Sequence, residues 1–448
     1  MPETFDIIVI GSGPGGHAAA QASAGLGART AIIEKKDWGG TCTNTGCVPT
    51  KALLACSRTY ASLKKMRRLG VYAADFRFDF IAMRRHQMQV VRTSSLGVRK
   101  SLADAGVLCV QGEGRILSPG EVEVLSNDGK KILNTRRIVI AWGSRPDTPT
   151  GITLSGRIMS SDGLLAMENP PGSTVIVGGG AIGLEFATFL ADLGSKVFVI
   201  ELMDQILPCE DRESADFIAK ELEKSGIEIF TSARMMSLSE ENHGIRMRVS
   251  RGDKDIELTA DCAAICTGRK PALRAEELDR LGINYSNRGI WVNGSQMTNI
   301  ENIFALGDVT GGILLAHRAA MQGKTLASLL FGDGSVLYNE DAVPCVLYTH
   351  PGLARVGLTE KQAVERRLDY EVKRSGFGAN IMARAELAGG GFAKLLFCKG
   401  RLVGAAVAGE GACELIAPMS LAVSRGMGYT DFRNWIIAHP TLSEVLNP

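Results

Sequence analysis

The stretch Phe5-Asp-Ile-Ile-Val-Ile-Gly11-Ser-Gly13-Pro-Gly-Gly16 decides the fold: an apolar run meets three glycines spaced Gly-x-Gly-x-x-Gly. An alanine-rich segment follows to about Gly25. The pattern predicts a strand over 5–10, a tight turn and a helix. Glycines there let backbone N–H groups and the helix N-terminus come close to a pyrophosphate. A second strand over 30–34 ends in Glu34, where a carboxylate can accept hydrogen bonds from a ribose diol.

After Pro170 and Pro171 the same device returns, with a strand over 174–177, Gly178, Gly180 and Gly183, a helix through Leu193, and a strand over 196–201 ending in Glu201. Gly11 to Glu34 and Gly178 to Glu201 both span 23 positions. The chain carries one nucleotide-binding unit twice. Glu201 repels a 2′-phosphate, and Leu202 and Met203 offer no arginine to receive one, so the second site selects NAD over NADP. Two dinucleotide sites in one chain suggest a fixed redox cofactor beside an exchanging one, with FAD plus NAD the natural pairing.

The rest of the sequence bounds the answer. At 448 residues the chain exceeds one hydrophobic core and suits several domains. Its 45% apolar and 22% charged residues and 52 glycines are those of an α/β globular protein. The net charge of +2, from 50 basic and 48 acidic residues, argues against nucleic acid or a membrane surface as partner. No apolar run approaches the roughly 18 to 20 residues of a spanning helix, and no basic leader precedes the first strand, so a cytoplasmic location is expected. Strands at 137–141 and 262–268 close the two nucleotide units at Trp142-Gly-Ser-Arg-Pro146 and Arg269-Lys-Pro271. A strand over 303–306 runs into Gly307-Asp308, and alternating strands at 343–348, 392–398 and 402–408 begin a separate α+β domain.

Between Glu34 and the next helix lies Gly39-Gly-Thr-Cys42-Thr-Asn-Thr-Gly-Cys47-Val-Pro-Thr-Lys51. In an unbroken helix, cysteines five apart have Cα atoms about 8 to 9 Å from each other, beyond disulfide reach. Bonding these two therefore requires a bent segment, and a strained, accessible disulfide exchanges faster than a structural one. A metal site would want further ligands nearby, which the segment lacks. Inert thiols more often sit in apolar runs, as Cys262 and Cys266 do. At the other end, His439 and Glu444 lie in Ala438-His-Pro-Thr-Leu-Ser-Glu444. An imidazole can take and return a proton near neutrality, and a carboxylate can orient it.

Both glycine fingerprints, Cys42 to Lys51, Thr298 to Asp308, Tyr348-Thr-His-Pro351 with Val356-Gly357, and the His439 segment follow in an order that resembles the flavin-dependent pyridine nucleotide disulfide oxidoreductases. The likeness spans nearly the whole chain and is strongest to their dihydrolipoamide dehydrogenases. It implies an FAD-binding domain at 1–146, an NAD-binding domain at 147–270, a central domain completing the FAD site at 271–338 and an interface domain at 339–448. The expected fold is α/β, two Rossmann-like domains plus a C-terminal α+β dimerisation domain.

The resemblance makes Cys42 the thiol that meets substrate and Cys47 the one against the flavin, joined as a redox disulfide. It pairs Lys51 with Glu185 beside the flavin, sets Asp308 on the ribityl chain, and adds Gly40, Thr41, Gly114, Gly143 and Gly268 to the cofactor-binding residues. His439, oriented by Glu444, becomes a base supplied across a homodimer. The implied partners are a lipoyl-bearing carrier protein or a 2-oxoacid dehydrogenase or glycine cleavage complex. A reductase of a glutathione-type disulfide is the alternative, and a non-catalytic flavin-binding assembly subunit a remoter one. Three positions depart from the family pattern: Trp142 replaces its threonine, Ile437 a histidine before His439, and Ala408-Gly409-Glu410 its glycine-proline turn.

Overall fold

The structure is a computed structural model, and it describes residues 4–72 and 75–447. The chain divides into two compact units, one of Met1–Ala52, Arg84–Asp147 and Arg269–Tyr338, the other of Leu53–Met83, Thr148–Gly268 and Asn339–Pro448.

The first unit is built on a five-stranded parallel sheet in the order Ile303–Ala305, Ile138–Ile140, Ile7–Ile10, Thr30–Glu34, Leu108–Gln111. Its three central strands are unbroken runs of buried residues because both faces are covered. On one face lie Pro14–Gly25 and Ala316–Phe331, whose backbones nearly touch. A Cβ on Gly323 would sit 2.5 Å from the carbonyl oxygen of Gly15. On the other face a meander of Glu113–Ser118, Glu121–Ser126 and Gly129–Thr135 encloses an apolar core with Ile8, Ile10, Ile33 and Ile140.

The strand expected over 5–10 is two strands. Thr4–Phe5 joins the meander, pairing with Asn134 and Thr135, while Ile7–Ile10 enters the central sheet. Asp6 marks the switch, its carboxylate accepting from the Arg29 amide at 2.9 Å and from Arg136 at 3.0 Å.

The second unit repeats the parallel plan in the order Ile158–Ser160, Cys262–Ile265, Ser173–Val177, Lys196–Ile200, Glu228–Phe230, again with an antiparallel meander at its side. Its other sheet is five-stranded and antiparallel, with Arg401–Gly409 and Gly391–Cys398 at the centre and helix Ala412–Arg425 against it. This is the α/β architecture with an α+β C-terminal domain that the sequence pattern leads one to expect. Among the described residues no helix is long and apolar enough to cross a membrane.

Within this unit Lys394, only 1% exposed, interrupts an apolar strand. Its ammonium donates to Asp211 at 2.6 Å and lies 3.3 Å from Glu360 and 3.5 Å from Glu213. Burial pushes the Asp211 carboxyl up, but the Lys394 hydrogen bond and the Glu360 amide outweigh it and hold it below its ordinary range. A carboxylate depressed in the folded state stabilises above its unfolded pKa, and that stability disappears as pH falls through the folded value. Lys394→Met, which leaves these acids without their buried cation, should cost about 3 to 5 kcal/mol in urea unfolding at pH 7. It should also flatten the loss of stability on acidification below about pH 4; an acid limb identical to wild type would disprove the coupling.

Candidate active site

The first nucleotide turn is set by close backbone approach. Gly11 has φ +110°, and a Cβ on it would lie 2.3 Å from the Ala141 carbonyl oxygen; a Cβ on Gly16 would lie 1.9 Å from the Gly11 oxygen. Gly13 is different, because the space beside it is open. It caps helix Pro14–Gly25 with no side-chain hydrogen bond, so the first amides of the helix are left for an anion.

Glu34, buried at the end of its strand, ties this turn down. Its Oε2 accepts from the Ser12 amide at 2.9 Å and the Ser12 hydroxyl at 2.7 Å, and its Oε1 accepts from the Lys36 amide at 2.9 Å. Ser12 Oγ in turn accepts from the Gly39 amide at 2.9 Å. Oε1 retains a lone pair for a ribose hydroxyl. Ser12 and its link to Gly39 were not singled out from sequence, although Ser12 stands inside the fingerprint.

The second turn has the same construction. A Cβ on Gly178, φ +114°, would meet the Cys266 oxygen at 2.4 Å, and one on Gly183 the Gly178 oxygen at 2.1 Å. Gly180 borders open space and caps helix Ala181–Asp192 without a side-chain bond. Glu201 accepts from the Gly179 amide at 2.7 Å and the Met203 amide at 2.8 Å. Gly268, φ +132°, ends the segment that follows Cys262–Ile265.

The cysteine segment is bent where the sequence requires it. Helix Gly40–Asn44 stops, Thr45 and Gly46 interrupt, and helix Cys47–Met66 begins. The Asn44 side-chain amide holds the bend by donating to the oxygens of Gly40 at 2.9 Å and Trp38 at 3.1 Å. A Cβ on Gly40, φ +59°, would press to 2.9 Å of the Gly13 Cα, so Gly40 and the adjoining Thr41 lie against the first nucleotide turn.

The break lets the two sulfurs meet. A hydrogen bond to Cys47, then burial, hold the Cys42 thiol far above its ordinary range, while the charge of Lys51 pulls it down. By contrast burial alone pushes Cys266 up to about 12, as befits an inert thiol in an apolar run.

Asp308 opens the 3-10 turn Gly307–Thr310 after the edge strand. Its Oδ2 accepts from the Ser144 hydroxyl at 2.6 Å, and Ser144 Oγ accepts from Arg269 at 2.9 Å. Gly143, φ +73°, turns the chain into this link. Ser144 and Arg269 were missed by sequence reasoning, which took their segments only as domain boundaries. Gly114 lies buried against Ile10 and Ile33.

The remaining residues belong to the second unit. Glu185, 5% exposed, accepts from the Tyr348 amide at 3.2 Å. His439 Nδ1 stands 2.7 Å from Glu444 Oε1, and the other Glu444 oxygen accepts from the Thr441 amide at 3.1 Å. The hydrogen bond with His439 and that from Thr441 hold the Glu444 carboxyl below its usual range. Thr441 thus fixes the acid that fixes the imidazole, leaving the other ring nitrogen to act.

The structure gathers Cys42, Cys47 and Lys51 against a turn shaped for one dinucleotide, repeats that turn for another, and joins His439 to Glu444. Such a set can bind two nucleotides and exchange electrons through a dithiol. Comparison with known proteins agrees. The family model for pyridine nucleotide-disulphide oxidoreductases matches residues 5–323, and the model for their dimerisation domain matches 343–448. A dihydrolipoyl dehydrogenase of Geobacillus stearothermophilus is 34% identical over 98% of this chain and 94% of its own, and one of Chlorobaculum tepidum 35% identical over 99% and 95%. Among solved structures, the Cu(II) complex of the HOCl-induced flavoprotein disulfide reductase RclA from Escherichia coli superposes with a TM-score of 0.87 at 29% identity, covering 99% of this chain and 98% of that one. LpdA from Mycobacterium tuberculosis shares the fold with a TM-score of 0.91 at 24% identity, covering 98% of each chain.

Gly183→Ala forces a methyl into backbone at 2.1 Å, whereas Gly180→Ala places it in open space. The first should destabilise the protein by about 1 to 3 kcal/mol or more and the second by less than about 1 kcal/mol. Melting temperatures of the two variants check this, and equal shifts would refute it.

Proposed function

The chain belongs to the pyridine nucleotide-disulphide oxidoreductases, and from that premise we propose that it oxidises dihydrolipoamide to lipoamide with NAD as acceptor. FAD and NAD are its cofactors. The observation that carries the reading is the Cys42–Cys47 pair, brought into hydrogen-bond contact across the break between two helices and beside Lys51, together with an NAD turn whose acid, Glu201, is buried and latched to the Gly179 amide. FAD is held by Gly11, Gly13, Gly16, Glu34, Gly40, Thr41, Gly114, Gly143 and Asp308. NAD is held by Gly178, Gly180, Gly183, Glu201 and Gly268. When bound, FAD supplies two-electron chemistry that links the cysteine pair to NAD.

The protein's own residues do the rest. His439, steadied by Glu444, takes a proton from the substrate dithiol. The resulting thiolate attacks Cys42 of the oxidised pair, forming a mixed disulfide and releasing Cys47 as thiolate. The second substrate thiol then displaces Cys42, so cyclic lipoamide leaves and both cysteines are reduced.

We place the working enzyme as a cytoplasmic homodimer in which His439 serves the partner subunit's disulfide. The dimerisation-domain match supports this, as does Ile436, an apolar side chain 94% exposed beside the His439 segment. The lipoyl group arrives on a carrier protein or a 2-oxoacid dehydrogenase or glycine cleavage complex. The second reading, a reductase of another disulfide such as a glutathione-type one, is favoured by the likeness to RclA and by Trp142 and Ile437. The NADPH preference expected of such a reductase runs against Glu201.

Anaerobic turnover with dihydrolipoamide plus NAD should be fast, and oxidised glutathione plus NADPH silent; the reverse overturns substrate and nucleotide together. Cys47→Ser should keep bound flavin and lose dithiol turnover, and retained turnover would sink the mechanism. His439→Gln should lower kcat about 10² to 10⁴-fold with flavin content unchanged. Glu444→Gln should give a smaller loss because it removes the orienting partner and leaves the imidazole.

A further inference from the structure

Trp142 stands where its family usually has threonine, and its surroundings give the indole a task. Ala141 follows strand Ile138–Ile140 and its amide donates to the Ile10 oxygen at 3.0 Å, while its own carbonyl fills the space beside Gly11. Three residues later Ser144 holds Asp308. Trp142 therefore lies along the carboxyl end of the first sheet, between the nucleotide turn and Asp308. Strands Ile7–Ile10 and Ile138–Ile140 are neighbours there and the chain departs from them to opposite sides, which is where open α/β sheets bind ligands.

Side-chain alternation sets the face. Val139 and Ala141 pack with the helices, whereas Ile138, Ile140 and Trp142 pack on the meander side. On that side the Arg274 guanidinium lies 4.7 Å from the indole centroid. Arg274 is itself fixed, donating to the Gly114 oxygen at 2.7 Å and lying 3.4 Å from Glu277. The ring is clamped to the segment carrying Gly114, which covers Ile10 and Ile33 at the ends of the strands that lead to Gly11 and Glu34. Yet the indole Nε1 is shielded from solvent and has no acceptor among the described residues. Indole nitrogen is a donor only, and a shielded donor without an acceptor is destabilising.

We propose that the Trp142 N–H donates a hydrogen bond to the ADP half of bound FAD, making Trp142 a cofactor-positioning residue that supplies affinity from a side chain. This rests on FAD occupying the first nucleotide site. Trp142→Phe keeps a ring under Arg274 and removes only the donor, whereas Trp142→Ala removes both. FAD release from the purified holoenzymes, followed by flavin fluorescence during guanidine titration, should show Trp142→Phe binding FAD about five- to tenfold more weakly than wild type and Trp142→Ala more weakly still.

The ultraviolet resonance Raman difference between wild-type and Trp142→Phe holoenzymes isolates one of only four indoles and should carry the ring mode of a hydrogen-bonded N–H. An unbonded N–H signature, or FAD held equally well by Trp142→Phe, would overturn the proposal while leaving the flavoprotein reading intact. Wild-type protein that is purified colourless and takes up no FAD would overturn both.

Discussion

Everything in this protein hangs on two backbone approaches too close for any side chain. The Gly11 oxygen lies where a Cβ of Gly16 would be, 1.9 Å away, and the Gly178 oxygen stands likewise 2.1 Å from a Cβ of Gly183. Each contact folds the strand back so that the next helix starts directly over the strand end. Each helix then begins at a glycine with no capping side chain. The unsatisfied amides of a helix N-terminus normally attract a cap or water. Leaving them bare, beside a glycine facing open space, converts a local cost into an anion site.

The acids complete the turns from within. Glu34 and Glu201 are buried carboxylates whose negative charge is tolerable because backbone N–H groups surround it. Each binds the glycine turn across the sheet and so holds the turn in shape even before a ribose arrives. In the first site the network continues through Ser12 to the Gly39 amide, and Gly40 then packs on Gly13. The cysteine segment is thereby anchored to the nucleotide turn by a buried polar chain. A change in Glu34 is consequently a change in the support of Cys42 and Cys47 as well as of the glycine turn.

The sequence made the turns legible because their requirement is steric and local: only glycine tolerates such distances, and the 23-residue span to each acid is the length of one helix and one strand. The bend between Cys42 and Cys47 was equally legible, since helical geometry forbids their meeting otherwise. Less could be read where tertiary partners decide. The meander strand Gly129–Thr135 exposes Ile132 and buries Thr135, so polarity and burial do not run together along it. Asp6 looked like an ordinary residue within one strand until Arg29 and Arg136 were brought to it. Lys394 sits in a strand whose sequence names no partner for it, and only folding places Asp211, Glu213 and Glu360 around it. Ser144 and Arg269 lie 125 positions apart, and no spacing rule connects them to Asp308.

The thiol pair illustrates how geometry and charge divide the work. Burial alone would raise both sulfurs and make them as inert as Cys266. Placing them together across a broken helix instead brings one thiol into hydrogen-bond contact with the other, so the behaviour of each sulfur depends on both. Lys51, one helical turn beyond Cys47, adds a cation whose charge opposes burial and pulls the Cys42 thiol down. The two cysteines therefore differ in setting although they lie in one short segment and share one residue type. That asymmetry is a property of the bend held by Asn44 and Gly46. It places Cys47 at the start of helix Cys47–Met66, where the helix N-terminus favours a thiolate.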